Sequence, residues 1–164
     1  MKPFSTDNKF GKFVMSIIQG YSHDKYWKRY FILTNPDNCV SIFRKLYYLW
    51  YIKKVDARHN SSFGANLNKG AVFLAPPNLP HGPNGIIVGY DVKIGKNCTI
   101  FHQVTIASGD VYIGDNVIIG AGAKFLPKVK IGDNVKIGAN AVVVEDVPDN
   151  ATVVLQKPRI LLRN

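Results

Sequence analysis

A six-residue period runs through the second half of the sequence and limits how the chain can fold. An apolar residue returns at every sixth position, and a second apolar set follows it four positions later, interrupted only by Asp110. Neither a helix, which repeats near 3.6 residues, nor a simple strand, which repeats near 2, produces this period. The first set, with one extra residue entering after its fourth member, is Val88, Ile94, Ile100, Ile106, Ile113, Ile119, Phe125, Ile131, Ile137 and Val143.

A hexad suits a chain that forms a short strand, turns a corner and repeats. The segments between the apolar positions read "GKN", "GDN" and "GAN", and Gly and Asn tolerate the positive φ that tight corners need. Three hexads complete one triangular coil, and stacked coils form a parallel β-solenoid. The clear hexads, with a fainter start at Leu67 and Phe73, predict roughly four to five coils. Their regularity disfavours the alternative of a β-sandwich with strands at wider spacing.

The first 58 residues differ from the rest in being rich in aromatic and basic side chains. We therefore expect a helical N-terminal segment over residues 1–58, a solenoid over 59–155 and a tail over 156–164. One helix is predicted near residues 10–18 and an amphipathic helix over 40–55, following the turn "NPDN". The basic and aromatic face either packs on the solenoid or a neighbouring subunit, which we favour, or contacts a membrane surface. The helically spaced apolar residues of the second helix are Ile42, Leu46, Trp50 and Val55.

The net charge and the cysteine content limit which binding partners and which cellular compartment are expected. The net charge of +10 favours anionic partners. The absence of a paired Cys/His pattern and of an RNA-binding aromatic motif argues against nucleic acid. Two cysteines, Cys39 and Cys98, suggest no disulfide framework, and Cys98 falls on an inward position of the repeat. No secretory signal or membrane-spanning run is evident. These features predict a cytoplasmic protein, located in one reading at the inner face of the membrane.

Three segments carry a resemblance to a known family: "IGKNCTIFHQVTI", "IGDNVIIGAGAKFL" and "IGDNVKIGANAVVVEDVPDNATVV". They resemble the hexapeptide-repeat acyltransferases, most closely the serine acetyltransferase branch and its polysaccharide O-acetyltransferase relatives, over about residues 61–159. The resemblance implies a mainly β fold, a left-handed parallel β-helix of hexapeptide repeats behind the short helical N-terminal segment. It also implies a homotrimer with active sites between subunits, and acyl transfer from a coenzyme A thioester.

Transfer of an acetyl group to a hydroxyl needs a base that takes the proton, and a neutral histidine suits this at neutral pH. His81, in "HGPNGIIVG", resembles the family's base, although its spacer is one residue longer; His102 is the second candidate. Asn60 occupies the position of the family's orienting aspartate. An amide holds a ring but supplies no charge, so Asp56 and His59 are possible substitutes.

The resemblance also indicates where coenzyme A binds, along the solenoid beside small residues, with its phosphates on cations. No metal is expected. The residues predicted to contact the coenzyme are Ala107, Ser108, Gly120, Ala121, Ala139, Lys157 and Arg159.

The acceptor is predicted from what the sequence lacks. Serine acetyltransferases have a longer loop where this chain reads "VTIASGDVYIGDN", and a larger helical N-terminal domain. We therefore predict an acetyl-CoA-dependent O-acetyltransferase acting on a sugar hydroxyl of a polysaccharide or glycan precursor. The alternatives are a serine acetyltransferase of cysteine synthesis, an enzyme that uses an acyl carrier protein, and a non-catalytic scaffold. A zinc hydratase is a further alternative, which would need His59, His81 and His102 to converge on the metal.

Overall fold

The computed structural model describes residues 9–156, which form three helices followed by a stack of short strands. The helices are α1 (Lys9–Gln19), α2 (His23–Thr34) and α3 (Ile42–Arg58). The strands are β1 (Val72–Phe73), β2 (Ile87–Val88), β3 (Lys93–Ile94), β4 (Thr99–Ile100), β5 (Thr105–Ile106), β6 (Tyr112–Ile113), β7 (Ile118–Ile119), β8 (Lys124–Phe125), β9 (Lys130–Ile131), β10 (Lys136–Ile137), β11 (Val142–Val143) and β12 (Thr152–Val153).

The strands form three parallel sheets, one on each side of a triangular coil. The sheet orders are β1-β3-β6-β9, β2-β5-β8-β11 and β4-β7-β10-β12. Ile119 aligns with Ile100 of the preceding coil and with Ile137 of the following coil, so one coil spans 19 and then 18 residues. The predicted parallel β-solenoid with a short helical N-terminal region is confirmed.

The hexad positions line the interior of the solenoid. From β1 to β11 the second residue of each strand is buried and the first is exposed or half-buried. The set four positions later is buried as well, including Cys98, where burial raises the thiol pKa to about 11. Where the repeat slips, the chain absorbs the extra residue at Gly109 and Asp110, both with positive φ, and Val111 takes the inward position.

Asparagines at one corner adopt the left-handed conformation in successive coils, as the sequence predicts. Asn97, Asn116 and Asn134 have φ of 55–58°. Their side chains also form a ladder, because Asn97 Nδ2 donates to Asn116 Oδ1 and Asn116 Nδ2 donates to Asn134 Oδ1, each at 3.2 Å. Asn at this corner therefore satisfies the backbone conformation and joins neighbouring coils.

α2 and α3 close the first coil of the solenoid. The sequence predicts α1 and α3 with slightly different ends, but α2 is missed. The rings of Tyr26, Trp27 and Tyr30 are buried, and the Trp27 ring packs on Phe63 and Phe73 at centroid distances of 5.2 and 4.7 Å. α2, α3 and the coils thus share one hydrophobic core. The proposed boundary at residue 58 marks a change of secondary structure rather than a break in packing.

α3 has one buried and one exposed side. Ile52 and Val55 are buried, whereas Ile42, Leu46 and Trp50, which the sequence places with Val55 on one apolar face, are exposed. Only part of the predicted face therefore packs on the protein. Within residues 9–156, no helix is both long enough and apolar enough to cross a bilayer.

Candidate active site

Two histidines that are distant in sequence meet at one edge of the solenoid. By an edge we mean the line of corners along which two of the three sheets adjoin, here the sheets of β4 and β5. His81 lies in the loop between β1 and β2 that interrupts the hexads, and His102 lies in the corner between β4 and β5. Their Nδ1 atoms are 2.7 Å apart and their ring centroids 4.8 Å apart. The ring of Phe101 packs edge-on against His81 at a centroid distance of 5.4 Å. The structure therefore joins the first and second candidate bases in one pair.

The hydrogen bond between the two Nδ1 atoms requires the two neutral rings to be different tautomers. A neutral imidazole carries one N–H, so one ring donates from Nδ1 and the other accepts there. The donating ring is left with an unprotonated Nε2, which can take a proton, and the accepting ring has its hydrogen on Nε2. The neutral pair thus offers one basic nitrogen and one N–H donor.

Asn84 braces the loop that carries His81. Its Nδ2 donates to the His81 carbonyl oxygen at 2.8 Å, and its Oδ1 accepts from His59 Nδ1 at 2.9 Å. Because Oδ1 can only accept, His59 carries its hydrogen on Nδ1. Backbone bonds reinforce this brace, from Gly85 N to the His59 carbonyl and from Gln103 N to the Asn84 carbonyl, each at 3.0 Å. The residues between His81 and β2 are therefore fixed at both ends.

The pair stands between two open clefts. One, which we call the coil groove, has a volume of about 510 Å³ and crosses successive coils. The other, which we call the helix cleft, has a volume of about 480 Å³ and lies between the α1–α2 connection and the His81 loop. His102 belongs to the coil groove and His81 to the helix cleft. The coil groove is lined by Asn60, Asn84, Gly85, His102, Gln103, Gly122, Lys124 and Asn140.

The expected orienting residue does not touch the pair. Asn60 lines the coil groove, but within the described part of the chain no hydrogen bond joins it or Asp56 to either imidazole. Asp56 is instead buried, and its Oδ1 accepts from the Tyr26 hydroxyl at 2.7 Å. Burial raises the pKa of this carboxyl to about 6. The partner of His81 is His102 rather than an acid or an amide.

The predicted coenzyme contacts lie on two different edges. Gly120 and Ala121, between β7 and β8, and Ala139, between β10 and β11, share the edge that carries His102. Ala107 and Ser108 follow β5 and lie on the next edge. The two other candidates, Lys157 and Arg159, lie outside the described residues.

The three histidines of the hydratase alternative do not converge. His59 binds Asn84, while His81 and His102 bind each other. In the range 9–156 no group of three or more His, Cys, Asp or Glu side chains is arranged to hold a metal ion.

Sequence reasoning missed Asn84, Gln103 and Lys124. Lys124 Nζ donates to the Gln103 carbonyl at 2.9 Å and to Thr105 Oγ1 at 3.0 Å across the coil groove. The number of residues per coil could have predicted from the sequence which residues lie on this edge of the solenoid. Positions one coil apart share an edge, which relates His102 to Ala121 and then to Ala139 by steps of 19 and 18 residues.

Family models match the solenoid in two overlapping stretches. The bacterial transferase hexapeptide (six repeats) matches residues 110–145, and the hexapeptide repeat of succinyl-transferase matches residues 85–124. The chain belongs to the hexapeptide-repeat acyltransferase family.

Serine acetyltransferases are among the relatives that this chain resembles. The enzyme of Mycobacterium tuberculosis is 42% identical over 98 residues, covering 56% of this chain and 42% of the relative. The enzyme of Helicobacter pylori is 35% identical over 108 residues, which cover 62% of this chain and 63% of the relative. The chain spans about half the length of the curated relatives it matches.

Solved structures give the same result. Serine acetyltransferase from Neisseria gonorrhoeae in complex with serine superposes with a TM-score of 0.56 and 35% identity, over 71% of this chain and 49% of that one. The Brucella abortus enzyme in complex with coenzyme A superposes with a TM-score of 0.62 and 26% identity, over 84% and 53%.

Proposed function

We propose that the chain is an acetyl-CoA-dependent O-acetyltransferase in which His81 is the general base and His102 its hydrogen-bond partner. The observation that carries this proposal is the 2.7 Å contact between the two Nδ1 atoms at an edge between two clefts. Membership of the acyltransferase family and relatives named serine acetyltransferases support it. A relative solved with coenzyme A supports acetyl-CoA as the donor.

In the proposed reaction the acceptor hydroxyl loses its proton to His81 Nε2 while its oxygen attacks the thioester carbonyl carbon. His102, accepting from His81 Nδ1–H, stabilises the imidazolium that forms. The tetrahedral adduct then collapses, the carbon–sulfur bond breaks, and the leaving thiolate takes the proton from His81. No acyl-enzyme is required, because both substrates are bound together.

The coil groove is the proposed site of the coenzyme arm. It crosses successive coils on the edge that carries Gly120, Ala121 and Ala139, so an extended chain can lie along it against small residues. Lys124 supplies a cation at this groove. We propose that the functional unit is a homotrimer, as the family resemblance implies, with a neighbouring subunit completing each groove.

Serine is the acceptor that the relatives support, since the relatives compared here are named serine acetyltransferases and one was solved with serine. The sugar acceptor predicted from the sequence, and with it a role in polysaccharide synthesis, finds no support in these names. One observation still favours a sugar as second candidate. No Lys or Arg is among the described residues lining the helix cleft beside His81, so those residues offer no cation to a serine carboxylate. That cleft is lined by Gln19, Tyr21, His23, Asn78, Leu79, Pro80, His81 and Gly82.

A thiol-release assay decides between the acceptors. Purified protein and acetyl-CoA are incubated with L-serine, with neutral sugars, or with no acceptor, and the acetylated product is identified by mass spectrometry. We expect release of free coenzyme A that depends on the acceptor, with serine giving the larger kcat/KM. Acetylation of sugars alone would move the assignment to the second candidate. Release with neither class of acceptor would refute both.

A further inference from the structure

One face of α3 exposes large apolar side chains at helical spacing. Phe43, Leu46, Tyr47 and Trp50 are 81%, 46%, 51% and 56% exposed, respectively. Their spacing of i, i+3, i+4 and i+7 places them in one stripe, which we call the α3 stripe. Isolated exposed apolar residues are ordinary on a protein surface, but a continuous stripe of this kind marks an interaction site.

Cations flank the α3 stripe, and no acid faces it from its own helix. Arg44, Lys53 and Lys54 are exposed, and Lys54 Nζ lies 5.0 Å from the centre of the Trp50 ring. The only acidic residue of α3, Asp56, is buried on the opposite side. The neighbouring α2 adds Arg29, whose guanidinium lies 4.0 Å from the Tyr51 ring.

We propose that the α3 stripe binds the anionic surface of a lipid bilayer, with the helix lying in the plane of the headgroups. Phe43 and Leu46 would enter the acyl boundary, while Tyr47 and Trp50 would sit at headgroup level, where amphipathic rings are favoured. The lysine and arginine stems would extend along the apolar surface and place their charges against lipid phosphates. This surface is separate from the proposed catalytic site and does not depend on its activity.

Charge complementarity favours a lipid surface over a second copy of the chain. A two-fold contact between α3 stripes would oppose each patch to itself. Arg44, Lys53 and Lys54 would then face the same cations of the partner, with no acid from either α3 to neutralise them. An anionic bilayer supplies the opposite charge, and the net charge of +10 adds a long-range attraction to it.

The two tryptophans make this proposal measurable without a label. Trp27 is 1% exposed and Trp50 is 56% exposed, so quenching by acrylamide reports mainly on Trp50. We expect vesicles of phosphatidylcholine with added phosphatidylglycerol to protect Trp50 from the quencher and shift its emission to shorter wavelength. The full chain should also sediment with these vesicles, and less with phosphatidylcholine alone or at high salt.

Substitutions separate the apolar and electrostatic parts of the binding. Phe43→Ser should weaken binding to the anionic vesicles about tenfold, the effect of removing one buried phenylalanine side chain. The pair Lys53→Gln and Lys54→Gln should remove most of the preference for anionic lipid. Tyr112→Ser, on the solenoid and 47% exposed, is the matched control and should bind as the native chain does.

Two results would overturn the proposal. One is that native protein neither sediments with anionic vesicles nor shows Trp50 protection. The other is that Phe43→Ser binds vesicles as tightly as the native chain. If Phe43→Ser instead lowers the mass measured by light scattering, and vesicles have no effect on either protein, the α3 stripe belongs to a second copy.

Discussion

His81 and His102 are hydrogen-bonded through their Nδ1 atoms at 2.7 Å, although 21 positions separate them in the sequence. The contact joins a loop residue to a corner residue of the next coil. The partner of the proposed base is therefore a second imidazole, where the family resemblance implies a carboxylate. A neutral partner orients the ring without adding negative charge, so its effect on the base comes from hydrogen bonding alone.

Replacing His102 should test its role as a positioning residue. His102→Leu removes the acceptor for His81 Nδ1–H, and we expect kcat to fall about tenfold to a hundredfold, with an altered pH profile of kcat/KM. His102→Asn retains an acceptor near the same place and should recover much of the loss. Equal rates for the two variants, with equal thermal midpoints, would show that the contact serves only packing.

We expect Asn84 to affect catalysis by holding His81 in position. Asn84→Asp keeps the acceptor for His59 but loses the donor to the His81 carbonyl, whereas Asn84→Ala loses both. We expect both variants to lower kcat about tenfold, because misplacement of a reacting group slows the chemical step. Asn84 also lines the coil groove, and we expect any rise in KM for acetyl-CoA to be smaller than the loss in kcat. Steady-state kinetics with both substrates varied makes the measurement. A change confined to KM for acetyl-CoA would place Asn84 in coenzyme binding instead.

Neighbouring isoleucines of β7 test the register of the solenoid. Ile119 is fully buried and Ile118 is 41% exposed. Ile119→Ala should lower the free energy of unfolding by about 2–5 kcal/mol because it leaves a cavity in the core. Ile118→Ala should cost less than about 1 kcal/mol. Urea titration followed by circular dichroism measures both, and a reversal of the order would contradict the inward assignment.

Asp56 should make stability depend on pH. Its folded pKa, raised by burial from 3.8 to about 6, means that folding favours the protonated carboxyl. The stabilisation is complete below the unfolded pKa and is lost as pH rises through the folded pKa. From about pH 4 to about pH 7, the native chain should therefore lose up to about 3 kcal/mol relative to Asp56→Asn.

Two small exposed residues test which edge holds the coenzyme. Ala139 lies on the edge of the His pair and Ser108 on the next edge. Ala139→Phe should fill part of the coil groove and raise KM for acetyl-CoA about tenfold, whereas Ser108→Phe should change it less. Isothermal titration with coenzyme A provides an independent measure. The opposite order would move the coenzyme to the edge of Ser108.

The solenoid was predictable because its signal is local and repeated. Each hexad specifies an inward side chain and a corner, and ten copies remove the ambiguity of any single one. α2 was missed because Lys25, Lys28 and Arg29 alternate with its buried aromatic residues, which hides the apolar face. Its rings are buried by residues distant in the sequence, among them Phe63 and Phe73 of the first coil and Asp56 of α3.

The site was only partly predictable, because its contacts depend on how the interrupting loop folds. His81 and His102 could be named from their surroundings in the sequence, but their mutual contact could not. Asn84 reaches back 25 positions to His59, a pairing that no local pattern encodes. The sequence could have predicted that Ala107 and Ser108 lie on a different edge from Ala121 and Ala139, because this follows from counting residues per coil.

The most direct test of the central claim is the acceptor-dependent release of coenzyme A by the native chain and by His81→Ala. If the imidazole pair performs base catalysis, His81→Ala should lose about 10²- to 10⁴-fold in kcat. Its thermal midpoint should stay close to native, because His81 is exposed. A folded His81→Ala variant that releases coenzyme A at the native rate would contradict the account.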